Sequence, residues 1–391
     1  MKLEKVLSLI PPELLETLAI ETNVNYFAKK LQGEVMFKLL LHCIISHKDN
    51  SLRTMQSAYE SIFFKLINAE NNKGKIHYSS ISERLSVIEL SFFEKLFKHC
   101  VTSYKEHLGA DGDSIIKFDS TIIALSSKLL NVGYQIKGGD AENYKQLKFT
   151  VGCAEIPEIV SFYTAQTNSS ENVSLKATIL EQSKAEKKRI KVFDRGITAR
   201  ATYDTFTDND IQFVSRMSAS AKHDIKHKNQ CEQTLPIATN TVTIISDDWC
   251  QFYGENGYKS KHLVRRIVTK RIDTDETIIF ITNNKELTAV EVTELYKRRW
   301  EIEVFFKFIK QLLNFKHLVS RSENGIQVVL YVTLSAAILL VAFAKENELT
   351  NLKIAKQQFA NELETEIIKQ IIKLCGGDPE KLNEILLYNT S

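Results

Sequence analysis

The chain has 391 residues, 43% of them hydrophobic, and its Lys+Arg 51 against Asp+Glu 48 leave a formal net charge of +3. The length suggests two or three domains, or one domain with a large insertion, and the hydrophobic share is ordinary for a soluble globular protein with a sizeable core. So balanced a total neither demands nor excludes nucleic acid, because a local basic groove can hide inside it.

The amino terminus, MKLEKVLSLIPPELLE, has neither a long apolar core nor a small-residue cleavage site, so it does not read as a signal peptide. Residues 1 to about 110 read as helical. FAKKLQGEVMFKLLLHCIISHK and SISERLSVIELSFFEKLFKHC repeat apolar residues at helical spacing, with the turn-like NAENNKGK between them. Ser80 or Ser82 is a candidate cap for the second segment. Lys29, Lys30, Lys38, Lys48 and Arg53 could line a DNA backbone or simply form a solvated helix face.

Near residue 113 the pattern changes to strands: DSIIKFDSTIIAL, KQLKFTVGCAE and EIVSFYTAQ are rich in β-branched residues. A helix over NVSLKATILEQSKAEKK follows, then a buried strand RIKVFDRG ending in an Asp and a Gly turn, a short helix ITARATYDTF and a strand IQFVSRMSA. Residues 219 to about 276 alternate short strands with polar turns and read as a β-rich insertion. TIIFITNN gives one more strand, and ELTAVEVTELYKRRWEIEVFFKFIKQLL is predicted as one long helix. The most apolar stretch, from Val328 to Ala344, is slightly short for a membrane span and reads as a buried core helix, and the chain is helical from there to its end. The six cysteines, Cys43, Cys100, Cys153, Cys231, Cys250 and Cys375, form no CxxC pair and no zinc-ligand spacing with a histidine, which points to a reduced cytoplasmic protein.

Three acids stand out on this scaffold. Asp119 interrupts an otherwise apolar strand, where a carboxylate must either face solvent or have a cationic partner. Asp194 closes RIKVFDRG, at the kind of strand end that presents functional groups in open α/β sheets, although a turn-forming Asp would look the same. On one continuous helix at about 100° per residue, Tyr296, Arg299, Glu303, Lys307 and Lys310 fall within an arc of roughly 80°. Glu301 falls instead inside the apolar sector, near Phe308 and Leu312. The stripe is either a solvated face with i,i+4 pairs or a set of phosphate-binding cations around one acid. Three carboxylates converging from two strands and a helix would bind two Mg²⁺ or Mn²⁺ ions for in-line attack on phosphorus.

The spacing Tyr296-x2-Arg299-x3-Glu303-x6-Lys310 resembles the Tyr-Arg-Glu-Lys signature of bacterial insertion-sequence DDE transposases of the insertion-sequence-four group. KFDSTIIAL and VFDRGI are similar to that group's two catalytic-Asp strands, and ITNNKELTAVEVTELYKRRWEIE to its approach to the glutamate. The resemblance spans about residues 113 to 345. It implies a ribonuclease-H-like α/β core, a mixed sheet flanked by helices, with a β-strand insertion between the second Asp and the Glu. Asp119, Asp194 and Glu303 would be the metal-binding catalytic triad, and Tyr296, Arg299, Lys307 and Lys310 would contact DNA. Trp249, the insertion's tryptophan, is spaced from Glu303 unlike the family's base-holding tryptophan and reads as a core residue.

The expected organisation is an all-α accessory or DNA-binding domain over 1–110, a catalytic domain over 111–345 with its insertion at about 219–276, and a helical segment over 346–391. The expected function is transposition: binding terminal inverted repeats of double-stranded DNA, cleaving 3′ ends and joining them to target DNA, as a homodimer in a synaptic complex in the cytoplasm, without a membrane. Basic tracks at KHLVRRIVTKR (Lys261, Arg265, Arg266, Lys270, Arg271) and KKRIK (Lys187 to Lys191) are candidate DNA contacts. The alternatives are a metal-dependent nuclease without strand transfer and a non-catalytic DNA-binding regulator.

Overall fold

The structure, a computed structural model, describes residues 2–47, 50–68, 74–109, 114–125, 134–135, 145–164, 170–185, 188–229, 235–313, 320 and 322–381. Lys48, Lys187, Cys231 and most of the expected NAENNKGK turn lie outside the described residues. The chain divides into two compact units, residues 1–110 with 307–391, and residues 111–306.

Among the described residues the first unit opens with seven helices: α1 (Lys2–Leu7), α2 (Pro12–Thr22), α3 (Gly33–Ser46), α4 (Leu52–Glu60), α5 (Ile62–Ile67), α6 (Tyr78–Val87) and α7 (Leu90–Leu108). Helix α7 buries Phe92, Phe93, Leu96, Phe97, Cys100 and Tyr104, the i, i+4 rows of an amphipathic helix. The expected second helix is broken at Ile88 and Glu89 into α6 and α7. Its cap is His77, whose ring accepts from the Ser79 N–H, while Ser80 and Ser82 lie inside α6.

The second unit begins with the strands β1 (Ile115–Leu125), β2 (Tyr134–Gln135), β3 (Lys145–Cys153) and β4 (Pro157–Tyr163), then α8 (Glu171–Ala185), β5 (Ile190–Phe193), α9 (Arg200–Asp208) and β6 (Phe213–Met217). It continues with β7 (His223–Lys228), β8 (Ile237–Ala238), β9 (Val242–Phe252), β10 (Val264–Arg271) and β11 (Thr277–Thr282), and ends on α10 (Ala289–Lys297) and the first turns of α11 (Trp300–Gln311). Among the described residues the strands form one eleven-stranded sheet in the order β2-β3-β1-β5-β6-β11-β10-β9-β7, with β4 on β3 and β8 on β9. Strand β1 is antiparallel to β3 and parallel to β5, and β5 is parallel to β6, the mixed core of a ribonuclease-H-like fold. The β-rich insertion is stitched to that core, because β11 pairs antiparallel with β6 and carries β10, β9 and β7 beyond it.

Alternation along the strands gives the sheet two apolar faces. One buries Ile116, Phe118, Phe193 and Phe213 against α8 and α9 through Leu175, Ile179, Tyr203 and Phe206. The other buries Ile115, Val192, Val214, Ile267 and Phe280 against α10 through Ala289, Val292 and Tyr296. Trp249 is buried with its indole N–H donated to Asn229 Oδ1 at 3.0 Å.

From Lys307, within α11, the chain belongs again to the helical unit, which continues with α12 (Glu323–Glu346) and α13 (Leu352–Leu374). The boundary expected near 345 therefore falls at 306, and the reason is packing. Helix α12 is apolar on all sides and belongs between helices: Phe97 meets Tyr331 at 5.8 Å, Phe343 meets Phe359 at 5.3 Å, and Asn324 Nδ2 caps the Leu85 and Ile88 carbonyls. Its length and composition would suffice to cross a membrane, and 83% of its most apolar window is buried inside the fold.

Candidate active site

The site grows out of strand register. In the parallel pair of β1 and β5, Phe118 stands beside Phe193, so the next residues, Asp119 within β1 and Asp194 just past the end of β5, emerge side by side where the parallel pairing stops. Both phenylalanines belong to the α8 and α9 face, which turns the two carboxylates to the α10 face. This is the crevice beyond the carboxyl ends of parallel strands where α/β sheets place their chemistry.

The two acids are tuned in opposite directions. Burial first, then the charges of Glu171 and Glu303, push Asp119 up to about 6, against the pull of the Ser120 N–H and Arg299. Asp194 is partly buried too, but the Arg195 N–H, the Tyr296 hydroxyl, Arg299 and Arg216 outweigh burial and hold its carboxyl below the usual range. Its Oδ1 accepts from both Arg195 N and Tyr296 Oη at 2.8 Å. Burial and the adjacent Asp194 charge push the Tyr296 phenol well up, so Tyr296 is the donor.

The expected single helix is two. Thr288 and Glu291 form a capping box that starts α10, and the helix closes at Arg298. Arg299, Glu301 and Ile302 then bond back three residues, to Tyr296, Arg298 and Arg299, so a tight 3₁₀-like joint precedes the regular turns of α11. Tyr296 thus lies in α10, Arg299 in the joint and Glu303 in α11, and their common face is set by this joint. Arg299, nearly buried, spans them: Nη2 donates to Glu303 Oε1 at 2.5 Å, its guanidinium carbon lies 5.6 Å from the Tyr296 ring centre, and it acts electrostatically on Asp119 and Asp194. Its Nε finds no hydrogen-bond partner among the described residues.

Glu301 departs from its expected place in the apolar sector. Its side chain is 51% exposed, with Oε2 receiving Lys117 Nζ at 2.6 Å and Oε1 receiving Arg298 Nε at 3.2 Å. Lys117, on β1 two residues before Asp119, is 1% exposed. Val304 and Trp300 are exposed as well, so the packed side of α11 is Ile302, Phe305, Phe306, Phe308 and Ile309. Lys307 is exposed and Lys310 half-buried, one and two turns beyond Glu303 on the same helix.

Three participants were not singled out from the sequence. Lys117 and Arg216 come from strands whose register is invisible until the sheet is assembled. Glu171, at the start of α8, acts on Asp119 and lies against Gly196 in the Asp194 turn, where any Cβ would collide with its carboxylate. The oxygen-only donor set and its excess of negative charge fit hard divalent cations such as Mg²⁺ or Mn²⁺. Among the described residues no three His, Cys, Asp or Glu close around a single ion, and Arg299 stands between the acids.

Several members of the basic tracks are engaged within the protein. Arg265 is fully buried and doubly bound to Asp247 at 2.6 and 2.8 Å, while Lys261, Lys270 and Arg271 pair with Asp208, Asp275 and Asp273. In KKRIK, Arg189 is paired with Glu158 and Lys191 is buried, donating to the Arg189 carbonyl. In the helical unit Lys38 pairs with Glu34, Lys30 donates to the Lys75 carbonyl, and Arg53 lies over the Tyr78 ring.

A ribonuclease-H-like sheet with two aspartates side by side on adjacent strands and a glutamate on a following helix is the arrangement of a DDE-type domain. Residues 110–339 match the family described as Transposase DDE domain, and the chain belongs to that family. It is 23% identical over 289 residues to a protein from Synechocystis named as a transposase for insertion sequence element IS4SA, covering 67% of this chain and 74% of that one. It is 28% identical over 160 residues to a protein from Sinorhizobium fredii named as transposase y4zB, covering 41% of this chain and 44% of that one. A Geobacillus stearothermophilus protein named as a transposase for element IS5377 is 28% identical over 153 residues, 39% of this chain and 38% of that one. The chain thus spans less than half the length of two of these relatives. Its kinship is with bacterial insertion-sequence transposases.

Proposed function

We propose that the chain is a DNA transposase that binds the terminal inverted repeats of its element, cleaves at their 3′ ends and joins the freed 3′-hydroxyls to target DNA. The observation that supports this most is the side-by-side emergence of Asp119 and Asp194 from parallel strands, with Arg299 linking both to Glu303. Asp119, Asp194 and Glu303 would hold two Mg²⁺ or Mn²⁺ ions, which when bound supply charge for activating the attacking oxygen and stabilising the leaving one. Tyr296 orients Asp194 through its hydroxyl. Arg299 holds Glu303 and offers remaining donors to a phosphate, and Lys307 and Lys310 add positive charge for the backbone. Two transposon ends must meet, so a homodimer on DNA, in the bacterial cytoplasm, is the proposed working form.

The test is a plasmid carrying the gene with its flanking DNA, incubated with protein and Mg²⁺. End cleavage and joining by the wild type, both lost in Asp119→Ala, Asp194→Ala and Glu303→Ala with DNA binding retained, is the expected result. Cleavage without joining would select the nuclease reading, and binding without cleavage by the wild type would select a regulator. Cleavage and joining by all three variants would refute the triad.

A further inference from the structure

Resting on the transposase reading, we propose that Arg216 is a substrate-positioning residue that binds a DNA phosphate next to the bond cut at Asp194. Register carries the inference. In the parallel pair of β5 and β6, Val192 stands beside Val214, so two residues further on Arg216 comes level with Asp194. Phe118 beside Phe193 had already brought Asp119 level with Asp194. Three neighbouring strands therefore bring Asp119, Asp194 and Arg216 level with one another, Asp119 from within β1 where its pairing with β5 ends. Val192, Val214 and Phe280, the last paired with Arg216, all belong to the apolar face that α10 covers, so alternation points the three side chains to that face.

Arg216 is half-buried and close enough to Asp194 and Tyr296 to favour the ionised form of each. Its side chain makes no hydrogen bond or ion pair among the described residues, in contrast to Arg299, which is tied to Glu303. An arginine at a strand end, beside an acid but not bound to it, keeps its planar fork available for a second anion. The anion that reaches this edge of the sheet in the proposed reaction is the phosphodiester backbone, which a guanidinium can grip through two parallel N–H···O bonds. Asp194 would gain a positively charged neighbour without being occupied by it, and the phosphate beside the cleaved bond would be held between Arg216 and Arg299.

The experiment couples a protein change to a substrate change. Wild-type protein, Arg216→Gln and Arg216→Lys are assayed for end cleavage on duplexes from the gene's flanking DNA, each with one phosphate near the cut replaced by neutral methylphosphonate. Arg216→Gln should slow cleavage about 10- to 100-fold on unmodified DNA, with Arg216→Lys recovering part of it. At one phosphate the methylphosphonate should slow the wild type by about tenfold or more and Arg216→Gln by less than about threefold, since the partner is already gone. If every methylphosphonate slows Arg216→Gln as much as the wild type, Arg216 acts only on Asp194 and the proposal fails. If Arg216→Gln unfolds, Arg216→Lys with unchanged thermal stability carries the same comparison. Absence of cleavage by the wild type on unmodified DNA would instead overturn the transposase reading.

Discussion

Glu301 and Lys117 allow a sharp test of how α11 is seated on β1. The ammonium of Lys117 is buried while the Glu301 carboxylate is half in water and also touches Arg298. Removing one partner from a fully buried pair costs about 3–5 kcal/mol, and an exposed pair contributes about 0.2–1 kcal/mol. Glu301→Ala, which strips the carboxylate from a buried cation, should fall between these at about 2 kcal/mol. Lys117→Met puts an apolar chain of similar length in an enclosed slot and leaves Glu301 with Arg298 and solvent, so it should cost about 0–1 kcal/mol. The double variant should match Lys117→Met, because no buried charge is left to miss its partner. Thermal unfolding is the assay: at about 2–4 °C per kcal/mol, Glu301→Ala should lower the midpoint of the catalytic unit by about 4–8 °C. Equal losses for the two single variants, or a double variant equal to their sum, would refute the reasoning.

Tyr296→Phe removes one of the donors that hold Asp194 low, so the carboxylate should titrate at higher pH and the acid limb of the cleavage profile should move upward; an unmoved limb would remove Tyr296 from this role. Asp119, pushed up to about 6 by burial, must lose its proton to bind a cation. Calorimetric titration with Mg²⁺ should therefore release about half a proton at pH 6 and close to none at pH 7.5, and Asp119→Asn should abolish the difference. In the helical unit, burial and then His47 push His42 on α3 down to about 4. Its folded value lies below the unfolded one, so the unfolded chain binds the extra proton and stability should fall by up to about 3 kcal/mol as pH drops from about 6.5 to about 4. His42→Gln should flatten that slope in urea unfolding curves.

Much of this scaffold was legible locally. The β-branched runs around Ile115–Leu125 and Ile190–Phe193 announce strands, and the acids stand out locally, Asp119 inside the first and Asp194 just past the second. The break between α10 and α11 was not legible, because Leu295, Trp300 and Ile302 continue an apolar rhythm through it and no Gly or Pro marks the joint. Glu301 shares the rotation of Phe308 on α11 but sits in its first turn, where Lys117 and Arg298 hold its carboxylate half in water. Contacts between strands distant in sequence were equally out of reach. Arg265 reads like its neighbour Arg266, and only the pairing of β10 with β9 reveals that one is locked to Asp247 inside the sheet. The same holds for Arg216, whose meaning rests on register with β5.

The outermost strand of the insertion has a consequence for how this protein coexists with copies of itself. A sheet of eleven strands that ended on an apolar edge would recruit further chains along its free N–H and C=O groups. Strand β7 ends it with HDIKHK, whose residues beyond His223 are all exposed and charged or polar except Ile225. Its pairing to β9 also slips between Ile225 and His227, so the edge is irregular as well as charged. Self-association along that edge through backbone pairing is thereby discouraged.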